Sequence, residues 1–168
     1  RYYYALNDTY STGLKLLDIQ SVSVGGKQLA EGTDWRVASN PANRRFVIRF
    51  GDTNNDIITS KAKFPVDAPV VVTYRMKLTG AAEAGKTDTN TVEVEHSHNP
   101  NDWTQREIVP GNTVNVHTGR VDITKTDMDG RALTGAQFVL KDAGSDAARW
   151  VVKTADGTYR LAENGETG

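Results

Sequence analysis

Apolar and polar residues alternate at every second position in short runs along this chain, and that period constrains the fold more than any other feature. The runs are YYYALND (2–8), IQSVSV (19–24), RRFVIRF (44–50), VVVTYRMKL (70–78), TVEVEHS (91–97), TVNVHT (113–118) and RVDITK (120–125). A period of two places successive side chains on opposite faces of a pleated strand, so each run reads as a half-buried β-strand. Between them lie VGGKQLAEGTD, SNPANR, GDTNND, TGAAEAGK and NPND, whose Gly, Asn, Asp and Pro residues favour turns. Helical periodicity is poor throughout, and its best candidate, ITSKAKF (58–64), covers barely two turns. Short strands at this spacing predict an all-β fold of tandem immunoglobulin-like sandwiches.

Composition narrows the function. The 168 residues carry a net charge of −1 with their basic residues scattered, which argues against nucleic acid as a partner. Hydrophobic residues make up 38%, and no run approaches the length of a membrane span. Cysteine is absent, so neither a disulfide framework nor thiol chemistry is available. RYYYALNDTYSTG lacks the charged and apolar regions of a secretory signal, and the abrupt ends suggest part of a longer protein.

Gly119 marks an expected boundary. It separates a first domain over 1–118, whose N-terminal part is expected to be missing, from the start of a second over 119–168. From residue 120 only RVDITKT, AQFVLKD, RWVVKT and TYRL read as strands, few for a sandwich, so the second domain is expected to be truncated. In RVDITKT the alternation puts Lys125 on the face of Val121 and Ile123. Such a lysine either extends its ammonium to solvent along an apolar stem or becomes chemically active. His96 and His98 share a strand face, and with His117 they form a weak candidate metal set. The run Asp52 to Asp56 spaces oxygen ligands as calcium loops do, but it lacks the glycine and distant glutamate of an EF-hand and reads better as a polar turn. No phosphate loop or serine-nucleophile motif occurs, so no turnover enzyme and no cofactor are expected.

Two stretches carry a family resemblance. ITKTDMDGRALTGAQFVLKD resembles the start of a collagen-adhesin B-type (CnaB) domain, with Ile123, Lys125, Asp127, Leu133, Gly135, Ala136, Phe138 and Leu140 in the matching places. YYYALNDTYSTGLKL, SVSVGGKQLAEGTDWRV and TNTVEVEHSHNPND resemble segments of the preceding domain in sortase-assembled Gram-positive pilins. The resemblance implies domains that cross-link themselves through a Lys–Asn isopeptide bond beside an Asp or Glu. Burial would neutralise both the amine and the acid, the acid would polarise the amide, and ammonia would leave.

On this resemblance Lys125 is the reacting lysine of the second domain, with its acid and asparagine outside the chain. Asp8, on the face of Tyr4 and Leu6, is the promoting acid of the first, the alternative being a turn cap before Thr9 and Ser11. His98 stands where the reacting asparagine is expected. Asn99 is the nearest substitute, one residue out of register unless the strand bulges. The first-domain lysine is expected upstream of Arg1. The implied protein is a pilus shaft subunit, extracellular and attached to the cell wall, with other pilin subunits and a sortase as partners and host matrix or glycans as possible ligands. The alternative is a wall-anchored adhesin, or a tip or basal pilin.

Overall fold

The computed structural model describes residues 2–51, 56–99, 101–119, 122–141, 150–155, 159–163 and 166. Its strands are β1 (Tyr4–Tyr10), β2 (Leu14–Val24), β3 (Lys27–Gln28), β4 (Trp35–Asn40), β5 (Arg45–Phe50), β6 (Val70–Leu78), β7 (Thr87–Asn99), β8 (Asp102–His117), β9 (Val151–Lys153) and β10 (Tyr159–Leu161). The one helical element among the described residues is a 3₁₀ turn, Pro41–Asn43. ITSKAKF forms turns instead, tied by the Phe64 N–H donating to the Ser60 carbonyl at 3.0 Å. No described helix is long and apolar enough to cross a membrane.

A five-stranded sheet in the order β4-β5-β1-β7-β8 faces a three-stranded sheet in the order β3-β2-β6. All pairings within them are antiparallel. Between the sheets lies the main core, built on Tyr10, Leu14, Val22, Trp35, Phe46, Ile48 and Phe50. β6 supplies Val72, Tyr74 and Met76 to it with regular alternation. β2 keeps its apolar residues inward differently. Register shifts between Leu16 and Asp18 and between Ile19 and Ser21 reset its parity, so that Leu14, Leu16, Ile19 and Val22 all reach the core.

β1 is central, paired with β5 on one side and β7 on the other. Both of its faces are covered. Tyr4, Leu6 and Tyr10 face the main core, while Tyr3 and Ala5 pack with Ile57, Val47 and Trp103 on the opposite face. The Arg106 guanidinium lies over the Tyr3 ring at 3.5 Å, closing that second cluster.

β8 is far longer than TVNVHT alone suggested, because WTQREIVPG joins it. Pro110 and Gly111 are tolerated there beside the irregularity in the β7–β8 register at Val92. A side chain at Gly111 would meet the Val92 carbonyl oxygen at 2.4 Å.

After Gly119 the expected strands form only in part. β9 and β10 make a two-stranded sheet. Segments 122–125 and 133–140 are not strands, and only the isolated bridges Thr126 to Ala132 and Lys141 to Trp150 connect their surroundings. The expectation of strands over RVDITKT and AQFVLKD is therefore corrected for their described residues. Alternation fixes which side chains share a face, but a strand also needs a neighbour for its backbone groups, and no ladder forms on these segments among the described residues. Ile123, Leu133, Phe138 and Leu140 stay exposed in consequence.

Candidate functional site: a buried carboxyl, amide and hydroxyl

Asp8 sits near the middle of the central strand, opposite Phe46 of β5 on one side and Val92 of β7 on the other. Its side chain points into the sandwich, and the residue is 2% exposed. Asn90 lies on β7 opposite Tyr10, one pairing position along from Thr9. Tyr74 approaches from β6 in the facing sheet, its ring edge-on to Phe46 at 5.4 Å. Three strands from two sheets thus bring a carboxyl, an amide and a phenol together.

The contacts are close. The Asn90 Nδ2 donates to Asp8 Oδ2 at 3.0 Å and to the Tyr74 hydroxyl oxygen at 2.7 Å. The Tyr74 hydroxyl donates to the same Asp8 oxygen at 3.0 Å. The remaining carboxyl oxygen, Asp8 Oδ1, and the amide oxygen, Asn90 Oδ1, are buried without a hydrogen-bond partner among the described residues. Buried polar atoms in folded proteins are usually satisfied, so two orphans at one locus mark an incomplete arrangement.

Electrostatics follow from the burial. Loss of water raises the Asp8 pKa above its ordinary value, while the hydrogen bonds from Asn90 and Tyr74 pull it back in part. Tyr74 is pushed up to about 12, mainly by burial and then by the neighbouring Asp8 charge, so its hydroxyl keeps its proton across the physiological range. An acid whose protonated form burial favours, together with a neutral phenol, can polarise a carbonyl.

A second buried acid braces the site. Asp88, two residues before Asn90, accepts from the Ser11 hydroxyl at 2.6 Å and from the Gly13 N–H at 3.1 Å. The Ser11 Oγ in turn accepts from the Thr89 N–H at 3.1 Å. Gly13 is required by this contact, since a Cβ there would fall 2.1 Å from the Asp88 carboxylate. The β1–β2 turn is thereby fastened to β7 just beyond Asp8. Ser11 and Gly13 act in this turn cap, and Asp8 does not.

The other residues singled out from sequence fall elsewhere. Asn99 is at the far end of β7, opposite Asp102, and its Oδ1 accepts from the Asn101 N–H at 2.9 Å. Asp8 is opposite Val92, seven residues away along β7, so Asn90 and not Asn99 is the amide that reaches it. His98 is exposed on the same distant stretch. His96 pairs with Glu107, whereas His117 pairs with Thr87 at the other end of β7. That separates them by on the order of 30 Å of extended strand, so the three histidines do not converge, and no metal-ligating cluster occurs among the described residues. Asp56 is held by Arg36 at 2.5 Å and Arg49 at 3.6 Å, while positions 52–55 lie outside the described residues. Lys125 is exposed, not inward-facing, because the strand that would aim it does not form.

Sequence reasoning passed over Asn90 and Tyr74, although both carried a signal. Asn90 has the two-residue parity of Val92 and Val94 in TNTVEVEHS, and Tyr74 has that of Val70, Val72 and Met76. A polar group in the core-facing register of a strand is the mark to look for.

No family model and no curated protein matches the sequence. Solved structures do, and the fold is that of Gram-positive major pilins. The 35 kDa C-terminal fragment of the major pilin GBS80 of Streptococcus agalactiae superposes with a TM-score of 0.70 at 19% identity, over 92% of this chain and 55% of that one. BcpA, the major pilin subunit of Bacillus cereus, superposes with a TM-score of 0.51 at 12% identity, over 96% of this chain and 52% of that one. The chain spans about half the length of these relatives.

Proposed function

We propose that this chain is part of a structural subunit of a sortase-assembled pilus on a Gram-positive cell, stiffened by an isopeptide bond made once at Asn90. The observation that carries the reading is the buried Asp8–Asn90 contact on the core side of the central sheet. Asp8 is the promoting acid and Asn90 the acyl donor, and the attacking lysine comes from outside this stretch of chain. Every lysine within it is exposed, so none is available as a buried nucleophile beside Asp8. The outer edge of β6, the strand that carries Tyr74, pairs with no described strand and offers a place for such a segment.

In this reading the first sandwich carries load along a fibre outside the cell, with other pilin subunits as neighbours and a sortase as the assembling enzyme. Lys125 is assigned, on its motif, to a second link in a CnaB-like domain over 119–168, completed by residues beyond it. The pilin fold and the absence of cysteine support the role, since an amide link needs no oxidising environment.

The intact mass of the full-length protein tests it. Each bond releases one ammonia and leaves the protein about 17 Da lighter by the stoichiometry of amine attack on an amide. Asn90→Ala should abolish one loss and Asn99→Ala should retain it. A mass equal to the sum of the residues would remove the cross-linking part of the proposal.

A further inference from the structure

The site contains one group that the acid-plus-amide scheme does not use. Tyr74 reaches from the opposite sheet to within 2.7 Å of the Asn90 amide and 3.0 Å of Asp8. As placed, Asn90 turns its Nδ2 toward both groups and leaves its Oδ1 buried without a partner among the described residues. Half a turn about the Cβ–Cγ bond exchanges the two atoms at almost no steric cost, because amide oxygen and nitrogen are nearly the same size. Oδ1 then occupies the position that faces the phenol and the carboxyl.

We infer that Tyr74 is a catalytic residue of the cross-linking step, the second of two hydrogen-bond donors that hold the amide oxygen of Asn90 while charge develops on it. This rests on the cross-linking reading given above. Protonated Asp8 is the first donor, through Oδ2. The pair forms an oxyanion pocket made from two side chains on facing sheets, and donors placed in advance in a dry site act more strongly than water does. Phe46, 1% exposed and edge-on to Tyr74, keeps that site dry and the phenol in place.

The step balances without a further reactant. The lone pair of a neutral lysine amine forms a bond to Asn90 Cγ, and the carbonyl π pair moves onto Oδ1 between Tyr74 and Asp8. As Asp8 Oδ2 passes its proton to the amide oxygen of Asn90, Asp8 Oδ1, which has no partner among the described residues, accepts a proton from the attacking nitrogen. The carboxyl gives that proton to Nδ2 as the Cγ–Nδ2 bond breaks and ammonia leaves, and the hydroxyl on Asn90 Cγ returns its proton to Asp8 Oδ2 as the carbonyl re-forms. Asp8 ends as it began, and Tyr74 keeps its proton throughout.

The test measures the rate of bond formation. Full-length protein is made by cell-free synthesis, stopped at successive times, and weighed intact for the ammonia loss. Tyr74→Phe preserves the ring packing and removes only the hydroxyl. It should slow the reaction by roughly 100- to 1,000-fold, the usual effect of deleting one oxyanion donor, while the final mass still shows the loss. Asn90→Ala should lack this loss at every time and keep only the loss that arises at Lys125. Cross-linking of Tyr74→Phe at the native rate overturns the role of Tyr74 and leaves the cross-link itself standing. Absence of any loss in the native protein overturns both. Should Tyr74→Phe fail to fold by circular dichroism, replacing Tyr74 with 3-fluorotyrosine keeps the shape and strengthens the donor. The reaction should then run faster than native, and an unchanged rate overturns the inference.

Discussion

At Asp8, burial and hydrogen bonding pull in opposite directions, and burial is the larger influence. The folded protein therefore holds this proton to a higher pH than the unfolded chain, whose reference is 3.8. The contribution of Asp8 to stability is complete below that value and is lost as pH rises through the folded pKa. Asp34 acts in the reverse sense, because its hydrogen bond from Lys63 lowers its pKa. The two are separated by comparing native protein with Asp8→Asn. The variant should be more stable than native at pH 7, and the difference should shrink toward pH 4, as measured by urea unfolding at both values. A difference independent of pH would mean that Asp8 does not titrate in this way. The inward position of Asp8 was legible because Tyr4, Leu6 and Asp8 share a parity. Its partners were not, since period two assigns a face but does not say which polar groups on two facing sheets will meet.

Elements were readable where their alternation is unbroken, as in VVVTYRMKL, and obscure where it is interrupted. β2 carries two register shifts within LKLLDIQSVSV, so only its end looked like a strand. β8 contains Pro110 and Gly111, residues that ordinarily argue against strand interiors. Near the β7–β8 hairpin end, Arg106 covers Tyr3 and pairs with Glu95 at 3.4 Å, joining this hairpin to the outer face of β1. The ion pair is partly exposed, so the stacking contributes more than the charge. Arg106→Ala should cost about 1 kcal/mol, read as a shift in the urea midpoint. It should also speed hydrogen exchange at the Tyr3 and Ser97 amides, which bond across this junction. Unchanged exchange there would show that the guanidinium is only a surface feature.

For the molecule as a whole, strand order sets a gradient of protection. β1 is hydrogen-bonded on both sides and covered on both faces, β8 is paired on one side with most of its residues exposed, and β9 with β10 forms only a two-stranded ribbon. Amide exchange should therefore be slowest in β1, faster in β8 and fastest in β9 and β10, because isolated two-stranded ribbons are marginal in water. Equal rates across all three would contradict the layered architecture. The sandwich class was legible from turn spacing, whereas the conformation after Gly119 was not. RVDITKT and AQFVLKD alternate as strands do, but the pairing that would make them strands depends on distant chain. The same dependence has another side at Asp8. Its contacts with Tyr74 and Asn90 close over 66 and 82 positions of sequence. Any covalent step routed through them starts only after both sheets have docked in register. The proposed bond would then work as a final inspection: a chain that had paired wrongly could not be sealed, and would remain open to proteolysis.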